Sequence, residues 1–462
     1  MVNRPGEDGK TDWTWRGHGA TYRAAEMRVL TGWIAAGASG MVIGAAGSGK
    51  SNLLDFLCRN AHRLGARYPA LEDGPALVYV RLGGLPDDTL TTFYRFILRA
   101  AHRSPTPFST TWWGELTGLY QDMQADDPFP AQSALYNLLD ACQAHDYRVV
   151  LFLDDFDMPP APQILALGRA LRSLHNVYRE TLSFIVGARR RLDAVPDLDL
   201  PDDVYRLLAT HICYVGPLVE ADARRDVAYR LHTAPVAPTP SEVDQMLALS
   251  GGYPTLLKAV GRWWSLTPER GPAETWRTAL GADPAMHIRL QAIWNGLTRD
   301  EQIALYALQR GDDTVADDAI LRGLEMRGIC RKAGDAWVLF GLLFADYVAE
   351  YGARTPDPIR IDKRTDLLFQ GEKAIDGLSP KEQAVLHFLA ERPHQRHTYT
   401  SVIVAAWDED ERYNGVSNDS LFQVIRTLRR KVEPDPSNPV YIVNYREKPE
   451  GGYLFYPEGR PT

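Results

Sequence analysis

Cysteine is scarce in this chain, four residues in 462, and Cys58, Cys142, Cys213 and Cys330 stand far apart. No C-x-x-C pair occurs, so neither a zinc site nor a disulfide framework is indicated, and four buried small apolar residues are expected. No uninterrupted apolar stretch is long enough to span a bilayer, and the leading MVNRPGEDGKTDWTWRG lacks the apolar core of a signal peptide. A cytoplasmic protein with no membrane partner is therefore expected. Positive charge is not in excess either. The net charge of -8 excludes a global basic coat for nucleic acid and leaves any DNA contact to a local basic surface. No repeat of fixed period is present, which argues against a solenoid.

What is present is globular: 45% hydrophobic and 24% charged residues, in a length that suits two to four domains. Residues 40–58 read GMVIGAAGSGKSNLLDFLC. An apolar run ends at Gly44, and Gly44, Gly47, Gly49, Lys50 and Ser51 spell G-x-x-x-x-G-K-S/T between a strand and a helix. The glycines let backbone N–H groups approach phosphate, Lys50 brings charge to the β and γ groups, and the Ser51 hydroxyl suits Mg2+. Gly44, Ala45, Ala46, Gly47, Ser48, Gly49, Lys50, Ser51 and Asn52 are thus the candidate nucleotide-binding loop, with ATP or ADP and Mg2+ as cofactors.

The stretch VVLFLDDFD (149–157) is an apolar strand ending in carboxylates, the form of a Walker B motif. Asp154 at the strand tip suits the Mg2+ shell together with Ser51, and Asp155 suits orienting or deprotonating a water. The alternative for Asp155 and for Asp157 is a helix cap or a solvated loop. Aspartate is one methylene shorter than the glutamate usual at position 155, so slow turnover is expected where catalysis depends on positioning.

Further strands are expected at 76–82, 182–189 and 211–218, alternating with helices. That pattern predicts an α/β P-loop NTPase fold, a parallel sheet with helices on both faces, followed by a helical lid and two winged-helix domains. The expected divisions are an arm at 1–18, an ATPase core at 19–215, a lid at 216–285, a first winged helix at 286–351, a linker at 352–376 and a second winged helix at 377–462.

Residues 20–260 resemble the STAND branch of the AAA+ and ORC-related ATPases. YRAAEM (22–27) resembles that group's G-R-E-x-E-L motif, with Tyr22 for the glycine, FIVGAR (184–189) its h-h-h-h-T-x-R strand, with Gly187 for the threonine, and GGYP (251–254) its G-x-P motif. The resemblance implies a nucleotide-gated switch that self-associates with ATP. It also implies Arg23 and Pro254 near the base and Arg189 as a γ-phosphate sensor, completing a catalytic set of Lys50, Asp154, Asp155 and Arg189. The plainer alternatives are an exposed charge for Arg189 and an ordinary turn for Pro254. Arg172 and Arg179 lie where AAA+ proteins often place a trans-acting arginine, or are solvated helix charges.

In SNDSLFQVIRTLRRKVE, Ser417 is an expected N-cap and Leu421, Ile425, Leu428 and Val432 form one apolar stripe. Gln423, Thr427 and Arg430, flanked by Arg426, Arg429 and Lys431, are expected on the opposite face, where Arg suits guanine and Gln adenine in a major groove. Two strands about a charged turn at 446–452 follow, with Arg446 as a candidate phosphate contact. Residues 377–458 resemble the winged-helix effector domain of OmpR/PhoB-type response regulators. This resemblance runs through LSPKEQAVLHFLAERP, IRTLRRKVEPDPSNPVYI and GGYLF, and it implies double-stranded DNA as partner. The acidic DEDERYNG (408–415) departs from that picture and suits a protein partner instead.

The favoured reading is a slowly hydrolysing ATP switch coupled to DNA binding by the last domain, in transcription or signalling. The alternatives are an ATPase assembling an oligomer or filament through its winged helices, as in defence signalling, and an ORC-like DNA loader.

Overall fold

The apolar runs at 40–43, 76–81, 149–154, 182–188 and 212–214 assemble into one parallel sheet, because each is flanked by helices that cover both of its faces. The computed structural model describes residues 17–104, 128–311, 317–352 and 359–459, except 73, 196–197, 335, 363–364, 366, 372, 410–415, 438, 446–449 and 458. The chain divides into two units, Met1–Ala349 and Glu350–Thr462.

In the first unit α1 (Ala24–Ala36), β1 (Gly40–Ile43), α2 (Lys50–Leu64), β2 (Ala76–Arg81) and α3 (Leu90–His102) come first. Next are α4 (Pro128–Ala144), β3 (Val149–Asp154), α5 (Ala161–Val177), β4 (Leu182–Ala188), α6 (Asp202–Ala209) and β5 (Ile212–Tyr214). The strand order is β2-β3-β4-β1-β5, all parallel. Every residue of β1, β3 and β4 is buried, as expected of strands covered on both sides. Strand β4 lies between β1 and β3, so the tips carrying Gly44, Asp154 and Arg189 meet at one edge of the sheet, where ligands of open α/β sheets bind.

Helices without strands follow: α7 (Glu220–Leu231), α8 (Pro240–Ser250), α9 (Pro254–Leu266) and α10 (Trp276–Gly281). Then come α11 (Pro284–Asn295), α12 (Arg299–Gln309), α13 (Asp318–Met326), the hairpin β6 (Cys330–Ala333) and β7 (Ala336–Leu339), and α14 (Leu342–Tyr351), the element order of a winged helix. All four cysteines are buried and free. Among the described residues no helix is long and apolar enough to cross a membrane.

The second unit departs from the sequence reading at its start. Residues 352–376, expected to be a linker, contain β8 (Ile359–Ile361), β9 (Leu368–Gln370) and β10 (Lys373–Ala374), paired in one antiparallel sheet. Runs of two or three residues are too short to show alternation, yet Ile359 and Leu368 are buried in the same core as the helices that follow. Those are α15 (Pro380–Glu391), β11 (Arg396–Thr398), α16 (Tyr399–Ala406) and α17 (Asn418–Val432), ahead of the wing strands β12 (Ile442–Tyr445) and β13 (Gly452–Phe455). Strand β13 pairs with β11 and β12 on either side. The stripe Leu421, Ile425, Leu428 and Val432 is buried as its spacing requires.

Candidate functional site

Helix α2 opens at Gly49 (φ 90°) with no side-chain cap, so the first N–H groups of the helix have no intrahelical or side-chain acceptor. Gly47 (φ 78°) is also left-handed, and a Cβ there would stand 2.4 Å from Thr255 Cγ2. A cavity of about 360 Å³ lies over this loop, lined by residues 44–52 with Arg81, Asp155, Arg189 and Pro254. Ser48 Oγ is buried there without a hydrogen-bond partner. An uncapped helix start, an orphaned hydroxyl and a loop too tight for side chains together fit phosphate oxygens.

Asp154 is fully buried. Its Oδ1 accepts from Lys50 Nζ at 3.1 Å and its Oδ2 from the Tyr79 hydroxyl at 2.8 Å. Burial opposes ionisation, but Lys50 and hydrogen bonds from Ser51 and Tyr79 outweigh it and hold the carboxyl below its ordinary range. Ser51 and Asp154 are thus hydrogen-bonded oxygens of the kind a Mg2+ ion takes. Gly187 replaces the expected threonine for a steric reason: a Cβ there would stand 2.6 Å from Asp154 Oδ1.

Asp155 has left-handed backbone (φ 59°), and its Oδ2 accepts from Arg81 Nε at 2.7 Å. Asp157 neither caps a helix nor faces solvent. Its Oδ2 accepts from the Arg189 backbone N–H at 2.8 Å, tying the β3 and β4 tips together while the Arg189 side chain lines the cavity. Arg172 is paired with Asp203 at 3.0 Å.

Arg23 stands behind the loop, not among the cavity's lining residues. With left-handed backbone (φ 46°) and 2% exposure, it donates through Nη2 to the carbonyls of Ser48 (2.6 Å) and Gly216 (2.9 Å), while its backbone N–H donates to Asp222 (2.8 Å). One guanidinium therefore links the P-loop with the end of β5, and the Arg23 backbone reaches helix α7. The start of α9 also rests on the loop. Thr255 N donates to the Gly47 carbonyl and the Tyr253 hydroxyl to the Ala46 carbonyl, both at 3.2 Å, and Pro254 lies 3.3 Å from where a Gly49 Cβ would be.

Several lining residues escaped the sequence reading. His18, assigned there to a loose arm, is 6% exposed and stacks on Tyr22 at 3.9 Å, and burial pushes its pKa down to about 4. Tyr22 accepts from Asn52 at 3.1 Å. The Arg230–Asp226 pair and Lys258 complete this side of the cavity. The rings of His18 and Tyr22 both lie ahead of α1, so helical spacing offered no signal for them.

On α17, Gln423, Arg426, Thr427 and Arg430 are exposed, together with Phe422. Arg429, expected among them, is half-buried: its guanidinium donates to the Ile442 carbonyl (3.0 Å) and to Asn444 Oδ1 (2.9 Å), fastening the helix to the wing strand, and burial lowers its pKa. The Thr427 hydroxyl donates to the Gln423 carbonyl of its own helix at 3.1 Å. Ser417 is the N-cap residue but makes no side-chain cap bond. Arg446 and most of the acidic segment 408–415 lie outside the described residues.

Residues 374–455 match the family model described as "Transcriptional regulatory protein, C terminal". Three solved structures resemble the chain loosely. The Walker-type ATPase of Pyrococcus abyssi is 14% identical, over 71% of this chain and 95% of that one, with a TM-score of 0.43. The Aeropyrum pernix ORC1 protein in complex with DNA is 16% identical, over 75% and 96%, with a TM-score of 0.38. The Aeropyrum pernix ORC2 protein is 15% identical, over 72% and 92%, with a TM-score of 0.37. No curated protein matches. Likenesses below a TM-score of 0.5 carry no functional weight, and the first unit is characterised by its own sheet order and glycine loop. Residues 374–455 are a winged-helix domain of the OmpR/PhoB type, joined in this chain to a fold of the P-loop ATPase kind.

Proposed function

We propose that the chain is an ATP-binding, slowly hydrolysing switch whose nucleotide state governs DNA binding by the C-terminal winged helix, a regulatory ATPase of the STAND/ORC-related kind acting in transcription or signalling. One observation carries the reading: the lid helix α9 begins on the P-loop, through Thr255 on Gly47 and Tyr253 on Ala46. Phosphate entering the loop meets the first turn of the lid. The Tyr253 ring also stacks on Phe340, between β7 and α14, at 4.6 Å. Lid position and the packing of the first winged helix are therefore coupled.

In this reading Lys50 leaves Asp154 to neutralise the phosphates, and Ser51 and Asp154 hold Mg2+, which supplies charge neutralisation at the β and γ groups. Arg189 approaches the γ-phosphate. Asp155 positions water only when Arg81 releases it, so the Arg81–Asp155 pair joins the shorter side chain as a reason for slow turnover. Gln423, Arg426, Thr427 and Arg430 face the DNA. ATP-dependent self-association belongs to the same reading, and light scattering in ATP against ADP tests it.

The central test is retarded migration of labelled duplex DNA at low salt with ATP, ADP and no nucleotide. A change in affinity of about fivefold or more between states is expected. Equal affinity in all three overturns the coupling, and no binding in any overturns the DNA reading.

A further inference from the structure

A second cavity, of about 350 Å³, lies beside the nucleotide cavity, over the edge strand β2 and between α2 and α3. Leu77, Phe96 and Ala100 give it an apolar floor, and Arg59, Arg99 and Arg103 stand round it with Arg81. Arg81 lines both cavities. Asp55 is the one carboxylate among the described lining residues, and it is taken by Arg59 at 2.5 Å. Arg99, in the last turn of α3, and Arg103, its C-cap residue, are exposed, with no side-chain hydrogen-bond or ion-pair partner among the described residues. Their place at the helix end complements the helix dipole. The dipole does not account for four arginines lining an apolar-floored cavity with one acid among its described residues. The wall also carries Tyr79. Both acids at the β3 tip thus reach a group of this cavity, Asp154 through the Tyr79 hydroxyl and Asp155 through Arg81.

We propose that this cavity is a regulatory site for a small phosphate monoester with an apolar group, and that its occupancy draws Arg81 from Asp155 and speeds ATP hydrolysis. Guanidinium groups suit the phosphate in paired hydrogen bonds, and the apolar group rests on Phe96 and Leu77. Arg81 cannot serve the anion and Asp155 equally. The binding half stands without the proposed ATPase activity, whereas the regulatory half rests on it.

The probe is phenyl phosphate, titrated calorimetrically into the full chain saturated with ADP, so that the P-loop is filled. Binding is expected, with inorganic phosphate about tenfold weaker for want of the ring. The R99A/R103A double variant, altered at exposed positions and checked for unchanged ADP binding, is expected to lose about tenfold or more in affinity for the probe. Phenyl phosphate is expected to raise ATP turnover about fivefold in the wild type and not in the double variant. No binding with ADP present, or equal binding by the double variant, overturns the site. Binding without faster turnover overturns the regulatory link. A chain that binds the probe yet hydrolyses no ATP under any condition supports the site and overturns the ATPase reading instead.

Discussion

The P-loop with its backing and helix α17 both gather positive charge, but they hold it differently. Lys50 in the cavity and Arg23 behind its loop are 5% and 2% exposed, and each is fixed to an oxygen of a named residue. Arg426 and Arg430 are exposed, and their side chains have no partner among the described residues. Buried charge has to be matched, so its geometry is set by the fold and is little altered by salt. Exposed charge is free to follow a polyanion and is screened by salt. Nucleotide affinity should therefore be nearly independent of ionic strength, and DNA affinity should fall steeply with it.

The largest effect expected from breaking this contrast is at Lys50. Lys50→Ala takes the cation from a fully buried Asp154, and stranding a buried charge costs about 3 kcal/mol or more. Loss of the phosphate cation should also cut ATP binding or turnover by about a hundredfold or more. Thermal unfolding and equilibrium binding of a fluorescent ATP analogue measure the two effects. If stability is unchanged, Asp154 is not held as a charge in the empty site.

A smaller loss is expected at Glu382, a matched buried charge within the DNA-binding unit itself. It closes the capping box of α15 with Ser379 and accepts from Lys431 of α17 at 2.6 Å, joining two helices. Burial raises its pKa, but the bonds from Lys431 and Ser379 outweigh that and bring it from 4.5 down to about 2. A carboxylate with a depressed folded pKa contributes its full stability above its unfolded value and loses it on acidification. Stability owed to Glu382 should thus be complete above pH 4.5 and fade as pH falls towards 2. Glu382→Gln should cost about 2 kcal/mol at neutral pH and flatten that acid limb, as read by urea unfolding across pH. An unchanged acid limb would assign the loss to other carboxylates.

Arg430→Ala should cost about 1 kcal/mol or more in DNA binding. If Arg430 contacts phosphate, the slope of log affinity against log salt should fall by about one, uniformly across sequences. If it reads guanine, the loss should be confined to particular sites. Arg429→Ala sharpens the comparison, because its guanidinium is spent on Ile442 and Asn444. It should lower the melting temperature of the wing more than the salt slope.

How much of this was legible in the sequence follows the same division. In the P-loop the spacing is the chemistry: glycines, lysine and serine act from consecutive positions of one turn, so order along the chain suffices. The Walker B acid was legible for a similar reason, standing where an apolar strand ends. The partners of these groups were not, because Tyr79 and Arg81 approach across 75 and 74 residues of chain. Only their alternation on an otherwise apolar strand hinted that they share a face. Arg429 could have been placed correctly. It lies four residues after Ile425 and one after Leu428, at the border of the buried stripe, but nothing local says that a wing strand comes back to meet it. The strands at 359–374 were hidden by brevity.

The smallest expected effect is the most informative about the switch. Tyr253 is fully buried, and burial pushes its hydroxyl pKa up, so it remains a donor to the Ala46 carbonyl at any working pH. Tyr253→Phe keeps the ring on Phe340 and removes one hydrogen bond, worth about 1 kcal/mol. If that bond fastens the lid to the empty loop and must be given up when phosphate enters, the variant should bind ATP about fivefold more tightly while losing little stability. The difference in DNA affinity between ATP-bound and nucleotide-free protein should shrink with it, because part of the binding energy no longer goes into moving the lid. Equal ATP affinity in the variant would make the contact a packing detail. The lid's response would then have to come from Thr255 on Gly47, a backbone bond that Thr255→Pro, lacking the N–H, would remove.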